Sequence, residues 1–287
     1  MRNEEQVLKQ ILDFANNDEN IRAVVMNGSR VNPNIEPDIF SDYDVICFVE
    51  DIDKYIRDQS WIPYFGDMVI YQFNRHDEEP DEQYVFLMQF SDGVRIDLSF
   101  ASYKMIVPSL EDSLTVVLLD KDGLIPSLPD PSEASYVTPK PNQAEYDLMV
   151  NEFWWVATYV AKGLWRRQPA YAKYMFEVIV RECLNKMVTW YIAVHLDWQI
   201  NVGKFGKYFG ELLPQDLWQD LLQTYVGVNE EDIWNALFTA GKIMRRIGIE
   251  VAENLGYVYH FQEDERVTKY LVQVRNLPKD ADSFDFK

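Results

Sequence analysis

Three aspartates and a glycine–serine pair are the residues in this sequence whose types and spacing suit chemistry. Asp42 and Asp44 stand two residues apart in SDYDVICF, at the mouth of an apolar run, Val45 to Val49, that suits a strand covered on both faces. Side chains at i and i+2 of an extended segment point to the same side, so the two carboxylates share a face. Like charges held that close repel, and a divalent cation makes the arrangement favourable. A third carboxylate comes from VRIDLSF, where Ile96, Leu98 and Phe100 alternate against Arg95, Asp97 and Ser99. Taken singly, Asp97 reads as a partner for Arg95 on a solvated face. Upstream, the strand-like IRAVVMN runs into Gly28 and Ser29, a turn that leaves backbone N–H groups open to an anionic group, with Arg30 adding charge. The order of turn, paired aspartates and third aspartate points to catalysis.

These residues need a sheet to hold them. From Ile21 to about Asp120 the apolar residues come in six short runs, IRAVVMN, YDVICFVE, GDMVIYQF, QYVFLMQF, VRIDLSF and LTVVLLD. Helical patterns frame them at about Glu4 to Asn16, Ile52 to Asp58 and Tyr103 to Leu110. Residues 121–142 hold five prolines and little apolar content, and read as an extended linker. Beyond it the period is helical: residues 143–168, then a run from Pro169 to about His195, then Gln215 to Tyr225, Glu230 to Leu255 and a shorter helix after Glu263. The expected fold class is α+β, with a mixed-sheet domain over 1–130 and a helical bundle over 131–287.

Composition narrows the partners. Lys and Arg total 27 against 47 Asp and Glu, a formal charge of −20. A phosphate-backbone binder draws its affinity from a basic surface, so nucleic acid is not expected as a partner. A negative surface instead concentrates small cations. Cys47 and Cys183 lie in apolar segments far apart, which suits buried thiols in a reducing compartment. The start, MRNEEQVLKQ, lacks an apolar signal core, and MVTWYIAVHLDW is too short to span a bilayer. A cytoplasmic protein with no membrane association and no obligatory protein partner is expected. His76, His195 and His260 share no ligand spacing, so no zinc site is expected, and HDEEPDEQ reads as a solvated loop.

Gly28-Ser29, Asp42-x-Asp44 and a single later Asp97 resemble the nucleotidyltransferase superfamily typified by DNA polymerase beta. With NEFWWVATYVAKGLWRR and NVGKFGK, the likeness extends over most of the chain to the aminoglycoside 6-adenylyltransferases, the streptomycin-modifying type. The resemblance implies an N-terminal nucleotidyltransferase domain and a helical substrate-binding domain. It implies transfer of AMP from ATP to the 6-hydroxyl of streptomycin, with release of pyrophosphate and resistance to the drug. Gly28, Ser29 and Arg30 would meet the nucleotide, and Asp42, Asp44 and Asp97 would hold two Mg²⁺ ions. Asp97 or a glutamate of the helical domain would take the acceptor's proton. The same chemistry on another aminoglycoside or a lincosamide, and a noncatalytic nucleotide-binding regulator, are the alternatives.

The resemblance also directs attention to the helical half. NVGKFGKYFG lacks the full phosphate-loop pattern, yet Lys204 could reach the β- and γ-phosphates across an interdomain cleft, with Lys162 as the alternative. A plain loop with solvated lysines is an equal reading. A guanidinium acceptor calls for carboxylates, for which Glu145 and Glu152, seven apart on one helical face, and Glu177 and Glu182 are candidates. Trp154 and Trp155 point about 100° apart on a helix. One is expected in the bundle and the other, Trp155, at the acceptor.

Overall fold

The computed structural model of the chain describes residues 1–74 and 83–286, apart from the side chains at 108 and 109. The acidic stretch 76–82, with His76, lies outside the described residues. The chain divides into two compact units, Met1–Tyr136 and Val137–Lys287. The first is a mixed sheet with helices and the second is helical, an α+β fold.

The first unit opens with α1 (Glu4–Asn16), whose N-terminus is closed by a capping box between Asn3 and Gln6. Its Val7, Ile11 and Ala15, spaced by four, are buried against the sheet. Six strands follow: β1 (Ile21–Asn27), β2 (Tyr43–Val49), β3 (Met68–Asn74), β4 (Gln83–Phe90), β5 (Arg95–Ser102) and β6 (Thr115–Asp120). Short helices α2 (Asp53–Arg57) and α3 (Ile106–Ser109) lie between them in sequence. The sheet order is β3-β4-β5-β2-β1-β6, with β2 and β5 parallel and the other neighbours antiparallel.

The central strand β2 is covered on both faces, as its apolar run requires. Val45, Cys47 and Val49 join the large cluster under α1, while Phe48 packs on the other face with Ala23, Val25, Ala101 and Ile106. Register then fixes what meets at the sheet's end. Asn27 pairs with Asp44 and with Thr115, and Asp44 pairs with Asp97. Directly paired residues on neighbouring strands project to one face, so this row carries its polar side chains together.

The stretch after β6, expected as an extended linker, is bonded to the first unit as far as Tyr136. Lys121 Nζ donates to the carbonyls of Ala15 and Asp18 at 2.8 and 2.9 Å, satisfying the open end of α1. Further on, Ser132 N donates to Ser113 O at 2.9 Å and Asn32 Nδ2 to Glu133 Oε1 at 2.9 Å. These bonds tie residues up to Tyr136 to the first unit.

The second unit is built on α4 (Gln143–Trp165), capped by Asn142. Pro169 sits in the first turn of α5 (Pro169–Tyr174), which continues through a π-helical stretch, Met175–Val180, into α6 (Arg181–His195). There follow α7 (Phe209–Leu212), α8 (Gln215–Leu222), α9 (Glu230–Leu255) and α10 (Phe261–Asn276). The last helix begins earlier and is longer than its sequence pattern implies, at 16 residues. Its buried Asp264 receives Arg245 Nε at 2.6 Å and Tyr259 OH at 2.8 Å, so the acid is paired inside the bundle. Long helices α4 and α9 approach closely at Gly241, where a β-carbon would stand 3.1 Å from the Trp154 ring.

Candidate active site

The site begins where β1 ends. Gly28 has φ +81°, a conformation L side chains rarely adopt, and its N–H donates to Leu114 O at 3.2 Å. A β-carbon there would lie 2.2 Å from Asp44 Oδ2, so glycine is required by space as well as by backbone. Ser29–Val31 then form one 3₁₀ turn beside the carboxylates.

Ligand atoms of Asp42, Asp44 and Asp97 all lie within 4.8 Å of one another, each residue partly buried. The cost of that crowding falls on Asp44. Burial first, then the charges of Asp42 and Asp97, push its carboxyl up to about 7. Arg95 offers partial relief: its Nε and Nη2 bond the two oxygens of Asp97 at 2.8 and 2.6 Å, and Nε lies 3.7 Å from Asp42 Oδ2. The pairing of Arg95 with Asp97 is therefore real, and it belongs to the acidic cluster rather than to a bland solvated face. Among the described residues one guanidinium pairs with the three carboxylates, and an oxygen-rich, undercompensated set of this kind fits a hard divalent cation.

Arg30 departs from its expected place. Its guanidinium donates to the carbonyls of Asp42 at 3.0 Å and Ser41 at 2.7 Å, pairs with Glu4 at 3.3 Å and covers the Tyr43 ring at 3.7 Å. These contacts hold the loop that delivers Asp42.

Asn27, Asp112 and Tyr136 extend the acidic cluster beyond the residues that its sequence pattern marks. Asn27 Nδ2 donates to Thr115 Oγ1 at 2.7 Å and to Asp112 Oδ2 at 3.3 Å, and Tyr136 OH donates to Asp112 Oδ2 at 2.7 Å. Asp112 also adds to the charge felt by Asp44. The adjacency of Asn27 to Gly28 was a usable signal; for Asp112 and Tyr136 the sequence carries none.

In the second unit the expected acceptor residues fall into different settings. Glu145, a candidate for the acceptor's guanidinium, is the capping-box partner of α4, its Oε2 accepting from Asn142 N at 2.8 Å. Glu177 is likewise committed, to Lys173 at 2.7 Å and Arg181 at 3.3 Å. Burial first, then the charges of Glu152 on α4 and Glu182 on α6, raise the Cys183 thiol to about 12. Trp154 is in the core, whereas Trp155 is 57% exposed and donates to Tyr159 OH at 2.8 Å. Trp155 lines an open cavity of about 410 Å³ with Asn151, Glu263, Arg266, Tyr270 and Phe286. Lys162 Nζ sits over the Tyr159 ring at 4.3 Å. Lys204 is exposed in the turn Lys204–Gly206, beside Phe205, which has φ +58° and is 90% exposed. His195 and His260 each face a carboxylate, Glu250 at 2.9 Å and Asp147 at 3.4 Å.

A family profile described as streptomycin adenylyltransferase matches residues 1–274. The chain belongs to the streptomycin adenylyltransferase family. It is 35% identical over 277 residues to an aminoglycoside 6-adenylyltransferase of Campylobacter jejuni, covering 95% of this chain and 96% of that one. A Bacillus subtilis (strain 168) protein of the same name is 35% identical over 276 residues, covering 94% and 97%. A crystal structure of an aminoglycoside 6-adenyltransferase from Bacillus subtilis aligns with 96% of this chain and 99% of that chain, at 30% identity and a TM-score of 0.49. Membership makes this chain a nucleotidyltransferase, and the acidic cluster and the Gly28 turn lie in the matched region. Among the described residues no helix is long and apolar enough to cross a membrane.

Proposed function

We propose that this protein transfers AMP from ATP to the 6-hydroxyl of streptomycin, releasing pyrophosphate, and so confers resistance to the drug in the cytoplasm. The observation that carries this reading is the trio Asp42, Asp44 and Asp97, within 4.8 Å of one another beside a turn that only glycine can make, in a chain of this family.

Asp42, Asp44 and Asp97 are the residues that would hold Mg²⁺, two ions with the nucleotide. When bound, the ions supply charge neutralisation along the triphosphate and a lowered pKa at the acceptor hydroxyl. The chain's own residues do the rest. Gly28 lets the backbone approach the phosphates closely and Ser29 adds a hydroxyl, while Arg30 keeps the Asp42 loop in place from behind. Arg95 orients Asp97 with two bonds. Lys204, with Lys162 as the alternative, neutralises the outer phosphates. The acceptor oxygen bonds to the α-phosphorus as the bond to pyrophosphate breaks, and its proton passes to Asp97 or to a glutamate of the second unit. Glu152 and Glu182 fit the acceptor's guanidinium groups better than Glu145, whose carboxylate is spent on a helix cap.

Incubating the protein with ATP, Mg²⁺ and a panel of aminoglycosides and lincosamides, followed by mass spectrometry, tests this reading. An adenylyl adduct on streptomycin supports it. An adduct on a different acceptor moves the specificity, and no adduct on any acceptor removes the enzymatic reading.

A further inference from the structure

The stretch Ser132–Tyr136, which precedes the second unit in sequence, is laced to both ends of the Gly28 turn. At the turn's exit, Glu133 accepts from two amides at once: Asn32 Nδ2 on Oε1 and Asn34 Nδ2 on Oε2, each at 2.9 Å. Asn32 is itself 4% exposed, and its Oδ1 accepts from Asn34 N at 2.9 Å, so the three side chains form one closed unit. At the turn's entrance, Gly28 N and Asn27 Nδ2 bond the 112–115 segment through Leu114 O and Thr115 Oγ1. That segment is in turn bound to the same stretch: Ser113 Oγ donates to Ser132 O at 2.5 Å, Ser135 N to Ser113 Oγ at 2.9 Å, and Tyr136 OH to Asp112 Oδ2 at 2.7 Å.

We infer that Glu133 is a positioning residue for the nucleotide. By clamping Asn32 and Asn34, it holds the Gly28–Asn34 turn in its nucleotide-ready conformation before ATP arrives. A carboxylate bridging two amides is a demanding geometry, because each of its oxygens must face a different donor. Gly28 N and Arg30 tie the entrance and middle of the turn, through Leu114 O and the carbonyls of Ser41 and Asp42, and Glu133 ties its exit through the side chains of Asn32 and Asn34. Without the clamp the turn samples other conformations, and binding must first reorder it, which lowers affinity without touching the reacting groups. The inference rests on the proposal that Gly28 and Ser29 meet the nucleotide.

The test is calorimetric binding of Mg²⁺·ATP to the full chain, without acceptor, together with KM and kcat for ATP in adenylyl transfer. Glu133→Ala is expected to weaken Mg²⁺·ATP binding about tenfold, the loss typical of hydrogen bonds to a charged acceptor. KM should rise in step, and kcat at saturating ATP should stay within about twofold, since a raised KM with kcat kept marks lost binding that ground and transition states share. Glu133→Gln, which keeps one acceptor and is the safer variant for folding, should fall between. Combining Asn32→Asp with Glu133→Gln exchanges donor and acceptor across the same contact and should restore affinity. Wild-type affinity in both single variants overturns the inference and leaves the proposed function standing. A fall in kcat with KM unchanged also overturns it, since that marks lost active protein. A wild type that binds no Mg²⁺·ATP overturns the nucleotide reading itself, and the inference with it.

Discussion

A β-carbon on Gly28 would stand 2.2 Å from Asp44 Oδ2, so the turn and the buried acid are fitted to each other. The first strand can deliver its turn against the second strand's carboxylate only if the turn residue has no side chain. Gly28→Ala forces either the φ of +81° to change or Asp44 to move. The expected outcome is near-complete loss of adenylyl transfer with a destabilisation of about 1–3 kcal/mol. Thermal melting and turnover assays check it, and an active, equally stable Gly28→Ala protein contradicts the fit.

The raised carboxyl of Asp44 has a pH signature. Its folded value is about 7 against an ordinary 3.8, so between those values the folded state binds more protons than the unfolded one. Stability from this group is present below the ordinary value and is lost as pH rises towards about 7. Asp44→Asn should therefore raise the Tm of the metal-free protein at pH 8 and leave it little changed near pH 4, while abolishing transfer. Melting curves at the two pH values decide it; a lower Tm at pH 8 contradicts the account.

Arg95 is the cation that tempers the cluster, and it holds the Asp44 value down. Arg95→Gln should lower Tm at pH 8 without metal, and Mg²⁺ should recover more stability in the variant than in the wild type. Differential melting with and without Mg²⁺ is the check. Equal Mg²⁺ responses would show that the guanidinium does not offset the acids.

The acids of the second unit should separate by role. Glu145→Gln disturbs a helix cap and should cost about 0.5 kcal/mol of stability with little change in acceptor affinity. Glu152→Gln and Glu182→Gln should each weaken streptomycin binding roughly tenfold, as loss of a charge-assisted contact does. Binding titrations at low and high salt measure both effects. Weakened binding in Glu145→Gln alone would reverse the assignment.

The elements were legible where local signals agree. The bounds expected for the first helix, Glu4 to Asn16, and for Glu230 to Leu255 are those observed, because an asparagine cap precedes a clean apolar period in each. The acidic trio was legible because strand alternation places side chains without knowledge of the fold. What escaped depends on partners distant in sequence. Arg30 is drawn to Glu4 and to the carbonyls of Ser41 and Asp42, which no local pattern announces. Residues 121–136 read as a spacer because prolines and serines suggest one, yet serine pairs about twenty residues apart lace it to the first unit. Glu145 is the exception, since Asn142-x-x-Glu145 is a capping-box pattern visible in the sequence.

The proposed adenylyl transfer depends on the three aspartates. Its most direct measurement is mass spectrometry of streptomycin after incubation with ATP and Mg²⁺, run side by side with wild type and Asp44→Asn. A single adenylyl adduct and equimolar pyrophosphate are expected with the wild type, and neither with the folded variant. An undiminished adduct with Asp44→Asn, or no adduct on any aminoglycoside with the wild type, contradicts it.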